Sequence, residues 1–299
     1  MYELSPGRIP YMNSSMSIME KEKTNDISVQ QTHSGVSAKE DAVSVKDAAA
    51  DDGLVRNLIS VPNSITCCNL ISGCIATYFA FCGDLTWALT WIIIGAVFDF
   101  FDGMSARLLN VASPVGKELD SLADDITFGV APSTMIFYEL GVMSYPDGME
   151  GLRSWLPFVA YIMAAFSALR LAKFNLDKRQ SMGFIGLPTP ANALFWGGAL
   201  INMQSSIETR PWAVFLVVAG VIVSSLLLIS ELPMFALKFK HWGLKGNGLR
   251  YGFVAMTIVI FIVAVIAHGW IGFLEAWAPV IAIYVLICII LRFANRSSH

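Results

Sequence analysis

Charge is scarce in this 299-residue chain. Lys, Arg, Asp and Glu make up 14% of it, against about 25% in a typical soluble domain. With 55% apolar residues and a mean hydropathy of +0.60, that scarcity excludes an ordinary soluble domain. No basic stripe exists, which excludes a nucleic-acid partner. The cysteines, Cys67, Cys68, Cys74, Cys82 and Cys288, show no CxxC or Cys/His spacing suited to zinc. All five fall in apolar segments and read as buried free thiols. Residues 1–57 lack an apolar core region of the kind a secretory signal needs. They are also too poor in large apolar side chains to fold alone, so a disordered cytoplasmic tail is expected, with at most a short helix over 43–50.

What is present is a series of apolar runs. Eight are long enough for spanning helices, at about 62–82, 85–110, 117–142, 153–175, 187–204, 211–231, 249–268 and 272–292. The expected fold class is all-α: a polytopic integral membrane helix bundle. Turn chemistry marks the breaks, as at Cys82-Gly83-Asp84 and Gly246-Asn247-Gly248. With the tail taken as cytoplasmic, that side collects Arg107, Lys117, Arg170, Lys173, Lys178, Arg179, Lys238, Lys240, Lys245, Arg250, Arg292 and Arg296. The opposite side keeps only Arg153 and Arg210. This asymmetry predicts both termini in the cytoplasm. Lys238, Lys240 and Lys245 are expected to meet anionic headgroups, and His241 and His268 to be interfacial.

Against this background stands a cluster of acid. Asp99, Asp102, Asp120, Asp124 and Asp125 sit in runs otherwise fit for lipid. One Asp at the centre of a spanning helix costs about 2.5–3.5 kcal/mol, and intramembrane ionisable residues mark functional sites. Asp99 and Asp102 are three apart and share a helix face; Asp120 and Asp124, four apart, share another. A chain reversal near Ser113-Pro114-Val115-Gly116 brings the two faces to similar depth. Four facing carboxylates repel unless a divalent cation neutralises them, and hard oxygen ligands suit magnesium, manganese or calcium. Gly103, Ala106 and Gly116 leave a shallow surface for a ligand. Asp125 points off this face, toward a structural partner.

The residues Asp99-x2-Asp102-Gly103-x2-Ala106-Arg107-x8-Gly116-x3-Asp120-x3-Asp124 resemble the signature of the CDP-alcohol phosphatidyltransferase family, without a gap or substitution. The flanks are similar to its phosphatidylserine synthase branch: Pro62-Asn63-Ser64-Ile65-Thr66, Asn69-Leu70-Ile71-Ser72-Gly73, the run DSLADDITFGVAPS, Ala168 to Asn175, and Gly186-Leu187-Pro188-Thr189-Pro190. Lys173 stands where that branch often has Arg, which keeps the cation and loses the fork. The resemblance covers roughly 58–200. It implies a six-helix core inside a catalytic region at 58–231; the cytoplasmic loop at 232–248 and the additional helices and short tail at 249–299 are read from the apolar runs and charge pattern and lie outside the resemblance.

The resemblance further implies transfer of a phosphatidyl group from CDP-diacylglycerol to L-serine, releasing CMP, at the cytoplasmic face of the cytoplasmic membrane. It assigns Asp99, Asp102, Asp120 and Asp124 to one or two Mg2+ or Mn2+ ions, with Asp124 as general base. Asn63, Thr66, Asn69, Gly103, Ala106, Arg107 and Gly116 are the implied CDP-diacylglycerol contacts; Arg170, Lys173 and Asn175 are those for serine. Membrane lipids and a second copy, as a homodimer, are the implied partners. Alternatives stay open. Glycerol 3-phosphate, inositol phosphate or an amino-alcohol could be the acceptor. An intramembrane prenyltransferase is expected to show two separated Asp-rich motifs, and a cation transporter often shows internal repeats; this chain has neither feature.

Overall fold

The computed structural model describes residues 60–111, 113–177, 184–207, 210–234 and 247–296. The expectations for the tail at 1–57, and for Lys178, Arg179, Lys238, Lys240, His241 and Lys245, lie outside the described residues.

The chain is a helical membrane protein. Its elements are α1 (Val61–Phe81), α2 (Leu85–Leu109), α3 (Pro114–Asp124), a π-helical segment (Asp125–Val130), α4 (Ala131–Val142), α5 (Tyr161–Leu176), α6 (Thr189–Ile207), α7 (Ala213–Ile229), α8 (Gly248–Glu275) and α9 (Trp277–Arg296). Two 3-10 turns, Glu150–Ser154 and Leu156–Ala160, lead into α5. Among the described residues, five rods are long and apolar enough to cross a membrane: Val61–Phe81, Leu85–Leu109, Leu156–Leu176, Gly248–Glu275 and Trp277–Ala294. A two-residue antiparallel ladder joins β1 (Phe184–Ile185) to β2 (Pro233–Met234), with Phe184 opposite Met234.

Helix starts follow capping chemistry. Ser60, Asp84 and Ser113 each accept a backbone N–H of the following first turn. Pro114 just after Ser113 makes α3 begin at 114 rather than 117, because proline suits the first helical position. The chain turns before it, with Asn110 in the left-handed region at φ 52°. Near the far end, the expected break at 268–271 falls at Gly269, whose non-helical backbone (φ 61°, ψ −132°) separates two helical pieces of α8 and folds Phe273 back onto Phe261, ring centroids 5.2 Å apart.

Alanine and glycine set how closely the rods pack. Ala76, Ala80 and Ala88 are fully buried between α1 and α2. A Cβ on Gly197 would come within 2.5 Å of Leu89 Cδ1, so α6 lies directly on α2. Leu85, Leu89, Ile92, Phe128, Met135, Ile136, Leu140 and Met163 fill the interior. In lipid, such contacts hold helices together by packing rather than by hydrophobic transfer. One expectation fails here: Cys67, Cys68, Cys74 and Cys82 are exposed, and only Cys288 is buried. Polar Asn63, Thr66, Asn69 and Ser72 occupy the inward stripe of α1, which turns the thiols outward.

Candidate active site

The site forms where α1, α2, α3 and the π segment meet. Asp99 on α2 and Asp120 and Asp124 on α3 each offer a carboxylate oxygen, and these oxygens lie within 4.8 Å of one another. Asp102 stands outside this triad. It is buried on the adjoining turn of α2, beside Thr66 and Asp120. Asp102 Oδ2 and Asp120 Oδ1 are buried without a hydrogen-bond partner. Buried oxygens of this kind call for a donor or a cation. An all-carboxylate set with unmade bonds fits a hard divalent ion.

A cavity of about 180 Å³ opens beside the carboxylates, lined by Asn63, Thr66, Asp102, Gly103, Gly116 and Asp120 among others. Ala106 and Lys117 also face it. Nothing lies within 4 Å of a Cβ built on Gly103 except Arg107 Nη2 at 3.9 Å, so that glycine keeps the floor open. Gly116 has the opposite reason: a Cβ there would meet Asn63 Oδ1 at 2.9 Å. The N-terminal turn of α3, capped by Ser113, thus edges the cavity, and helix N-termini favour anions. Arg107 does not line the cavity; it is exposed and donates to Gly103 O at 2.9 Å on its own helix.

Asn69 sits deeper than the cavity. Its Nδ2 donates to Asp124 Oδ1 at 3.2 Å, and Thr127 Oγ1 lies 2.9 Å from its Oδ1 and 3.1 Å from its carbonyl. Asp125 turns away from the triad toward Ser167 on α5, as its spacing predicts.

The three residues expected to hold the acceptor diverge. Arg170 is buried on α5, donates to Thr189 Oγ1 at 3.3 Å, and carries an unpartnered Nε. It lies within electrostatic reach of Asp124. Lys173 forms an ion pair of 2.5 Å with Glu231, beyond α7. Asn175 donates to Ser121 Oγ at 2.8 Å, and its carbonyl accepts from Lys117 Nζ at 2.8 Å. Sequence reasoning missed Ser113, Thr127 and Glu231, and read Lys117 only as a topology charge. The Ser-Pro cap signal at 113–114 was available; nothing local pairs Lys173 with Glu231, 58 residues away.

Comparison with known proteins bears on this arrangement. The family model described as CDP-alcohol phosphatidyltransferase matches residues 59–226, from α1 into α7. The chain belongs to the CDP-alcohol phosphatidyltransferase family. It is therefore an enzyme, a transferase of phospholipid biosynthesis built from membrane helices. A Bacillus subtilis relative is 35% identical over 186 residues, covering 61% of this chain and 90% of the relative. A relative from Helicobacter pylori strain 26695 is 30% identical over 209 residues, covering 69% and 84%. One from Methanocaldococcus jannaschii is 34% identical over 151 residues, covering 50% and 65%. Each is named CDP-diacylglycerol–serine O-phosphatidyltransferase. Within this family member, α8 and α9 lie beyond the matched region.

Proposed function

We propose that the protein transfers the phosphatidyl group from CDP-diacylglycerol to L-serine, giving phosphatidylserine and CMP, at the cytoplasmic membrane face. The observation that carries this is the triad Asp99, Asp120 and Asp124 beside a cavity edged by Gly103, Ala106 and the capped start of α3. Relatives named for the serine reaction support the choice of acceptor. The excess of Lys and Arg on one side supports cytoplasmic termini and an eight-span topology.

Asp99, Asp120 and Asp124 would hold magnesium or manganese, with Asp102 completing the set on the cavity side. The cation's contribution when bound is to neutralise the diphosphate and the charge on the departing CMP. The cavity takes the cytidine and diphosphate against the open backbone at Gly103 and the capped first turn of α3; Asn63 and Thr66 offer it hydrogen bonds. The serine hydroxyl attacks the phosphorus that bears diacylglycerol. A new P–O bond forms to serine, the bond to the CMP oxygen breaks, and the hydroxyl proton passes to Asp124. Arg170, buried and short of a hydrogen bond at Nε, suits the serine carboxylate. Lys173 is engaged by Glu231, so it acts on the acceptor only by leaving that pair.

The test is CMP release from CDP-diacylglycerol by the purified protein in detergent or liposomes, each acceptor alcohol offered singly. Release is expected with serine and magnesium or manganese, and to stop with a chelator. Release with glycerol 3-phosphate but not with serine would overturn the assignment. In the same assay, Asp120→Asn is expected to abolish turnover while the protein still purifies from membranes; near-normal turnover would remove Asp120 from the metal set.

A further inference from the structure

Asp124 occupies the last position of α3, and the helix widens into a π turn immediately after it. Isolated π turns inside α-helices frequently sit at functional sites. Thr127, in that turn, is completely buried, and its hydroxyl approaches both oxygens of Asn69. Asn69 is also completely buried. Its amide therefore has two neighbours of different kind: a hydroxyl at Oδ1 and the Asp124 carboxylate at Nδ2. With the hydroxyl proton shared between Asn69 O and Oδ1, the amide plane is fixed with Nδ2 toward Asp124 Oδ1, where a donor is needed. An unanchored amide could present its oxygen to Asp124 instead, placing acceptor against acceptor.

The backbone around Thr127 is shaped to admit this contact. A Cβ on Gly73 would come within 2.4 Å of Thr127 Oγ1 and 2.8 Å of its Cα; a Cβ on Gly95 would come within 2.6 Å of Thr127 Cγ2 and 2.9 Å of Asn69 Oδ1. Glycines on two different helices thus clear room for one threonine and the amide it touches. We infer that Thr127 is a positioning residue for the active site, acting through the Asn69 amide to orient the Asp124 carboxylate. This rests on Asp124 belonging to the metal and acceptor chemistry. The role is that of an outer hydrogen-bonding partner, whose loss typically costs about 10- to 100-fold in metal affinity or activity.

The experiment compares Thr127→Val, which keeps the shape and removes the hydroxyl, with Thr127→Ser, which keeps the hydroxyl. Each full-length protein is purified in detergent. The measurements are kcat, KM for CDP-diacylglycerol, thermal stability, and direct manganese binding by paramagnetic resonance without substrate. Thr127→Val is expected to lower kcat and manganese affinity about tenfold or more with KM little changed, and Thr127→Ser to restore both to within about threefold. Wild-type manganese affinity and kcat in Thr127→Val would overturn the inference. So would equal loss in both variants accompanied by lowered thermal stability, which marks a packing role. An Asp124→Asn control separates the two levels. If that variant binds manganese and turns over normally, the assignment of Asp124 fails; if it is inactive while Thr127→Val is normal, only the positioning role fails.

Discussion

At the scale of single residues, Arg170 and Lys173 divide a task that the sequence gives to both. They lie one helical turn apart on α5, yet Arg170 is buried near Asp124 while Lys173 reaches out to Glu231. Arg170→Lys is expected to raise KM for the acceptor about tenfold or more, because one ammonium replaces a rigid fork of donors. Lys173→Ala is expected to change that KM less than threefold, and stability by roughly 0–1 kcal/mol, because its partner is half exposed. Initial rates at varied serine concentration check both; a larger effect at Lys173 would return it to the acceptor site. The carboxylates themselves were legible, since spacings of three and four fix a helix face. That Asp102 stands apart from the other three was not, because spacing does not give the rotation of α2 against α3. The pairing of Lys173 with Glu231 was not legible for a similar reason: the partner is distant in sequence.

At the scale of elements, the glycines fall into two physical classes that look identical in the sequence. Gly73 is closed by the backbone of the π segment; Gly103 is open to the cavity. Gly73→Ala must push the π segment off α1 and is expected to destabilise by about 1–3 kcal/mol. Gly103→Ala is expected to leave thermal stability near wild type but raise KM for CDP-diacylglycerol, since the methyl enters the floor of the cavity. Thermal unfolding in detergent with parallel kinetics separates them; equal destabilisation would deny the distinction. Helix positions were largely legible from apolar run length and turn residues. The Cys67, Cys68, Cys74 and Cys82 orientation was not, because hydrophobicity says that a side chain avoids water without saying whether protein or lipid replaces it. The π segment was also invisible, since DITFGV is equally compatible with an ordinary α turn.

At the scale of the whole molecule, α2 and α3 carry like charge toward each other across the triad. A cation that binds there links two helices and stabilises only the folded state. Adding magnesium or manganese at about a hundred times its dissociation constant is expected to stabilise the protein by about 2.7 kcal/mol. Chelation should remove that gain, and Asp99→Asn should blunt it. Unfolding temperature across a metal titration is the check; a temperature independent of metal would place the cation elsewhere. The family match ends within α7, so α8 and α9 lie outside the family core. Arg292 on α9 donates to Glu231 O at 2.9 Å, the residue that also holds Lys173, which ties the last helix to the end of α5.

The π segment has a consequence for phase. On one continuous rod, Asp124 must face the carboxylates while Met135, Ile136 and Leu140 must face the core. An α-helix advances about 100° per residue, so the angle between those two faces is set by the count of residues between them. The wide turn adds an offset that no side-chain choice can supply. The chemical end and the packing end of the rod can then each be aimed for its own purpose, and Gly73, Gly95 and Gly129 are the clearances that let the offset fit among its neighbours. Shortening the segment by one residue would swing one end through roughly a quarter turn, so this length is under tighter constraint than its composition suggests.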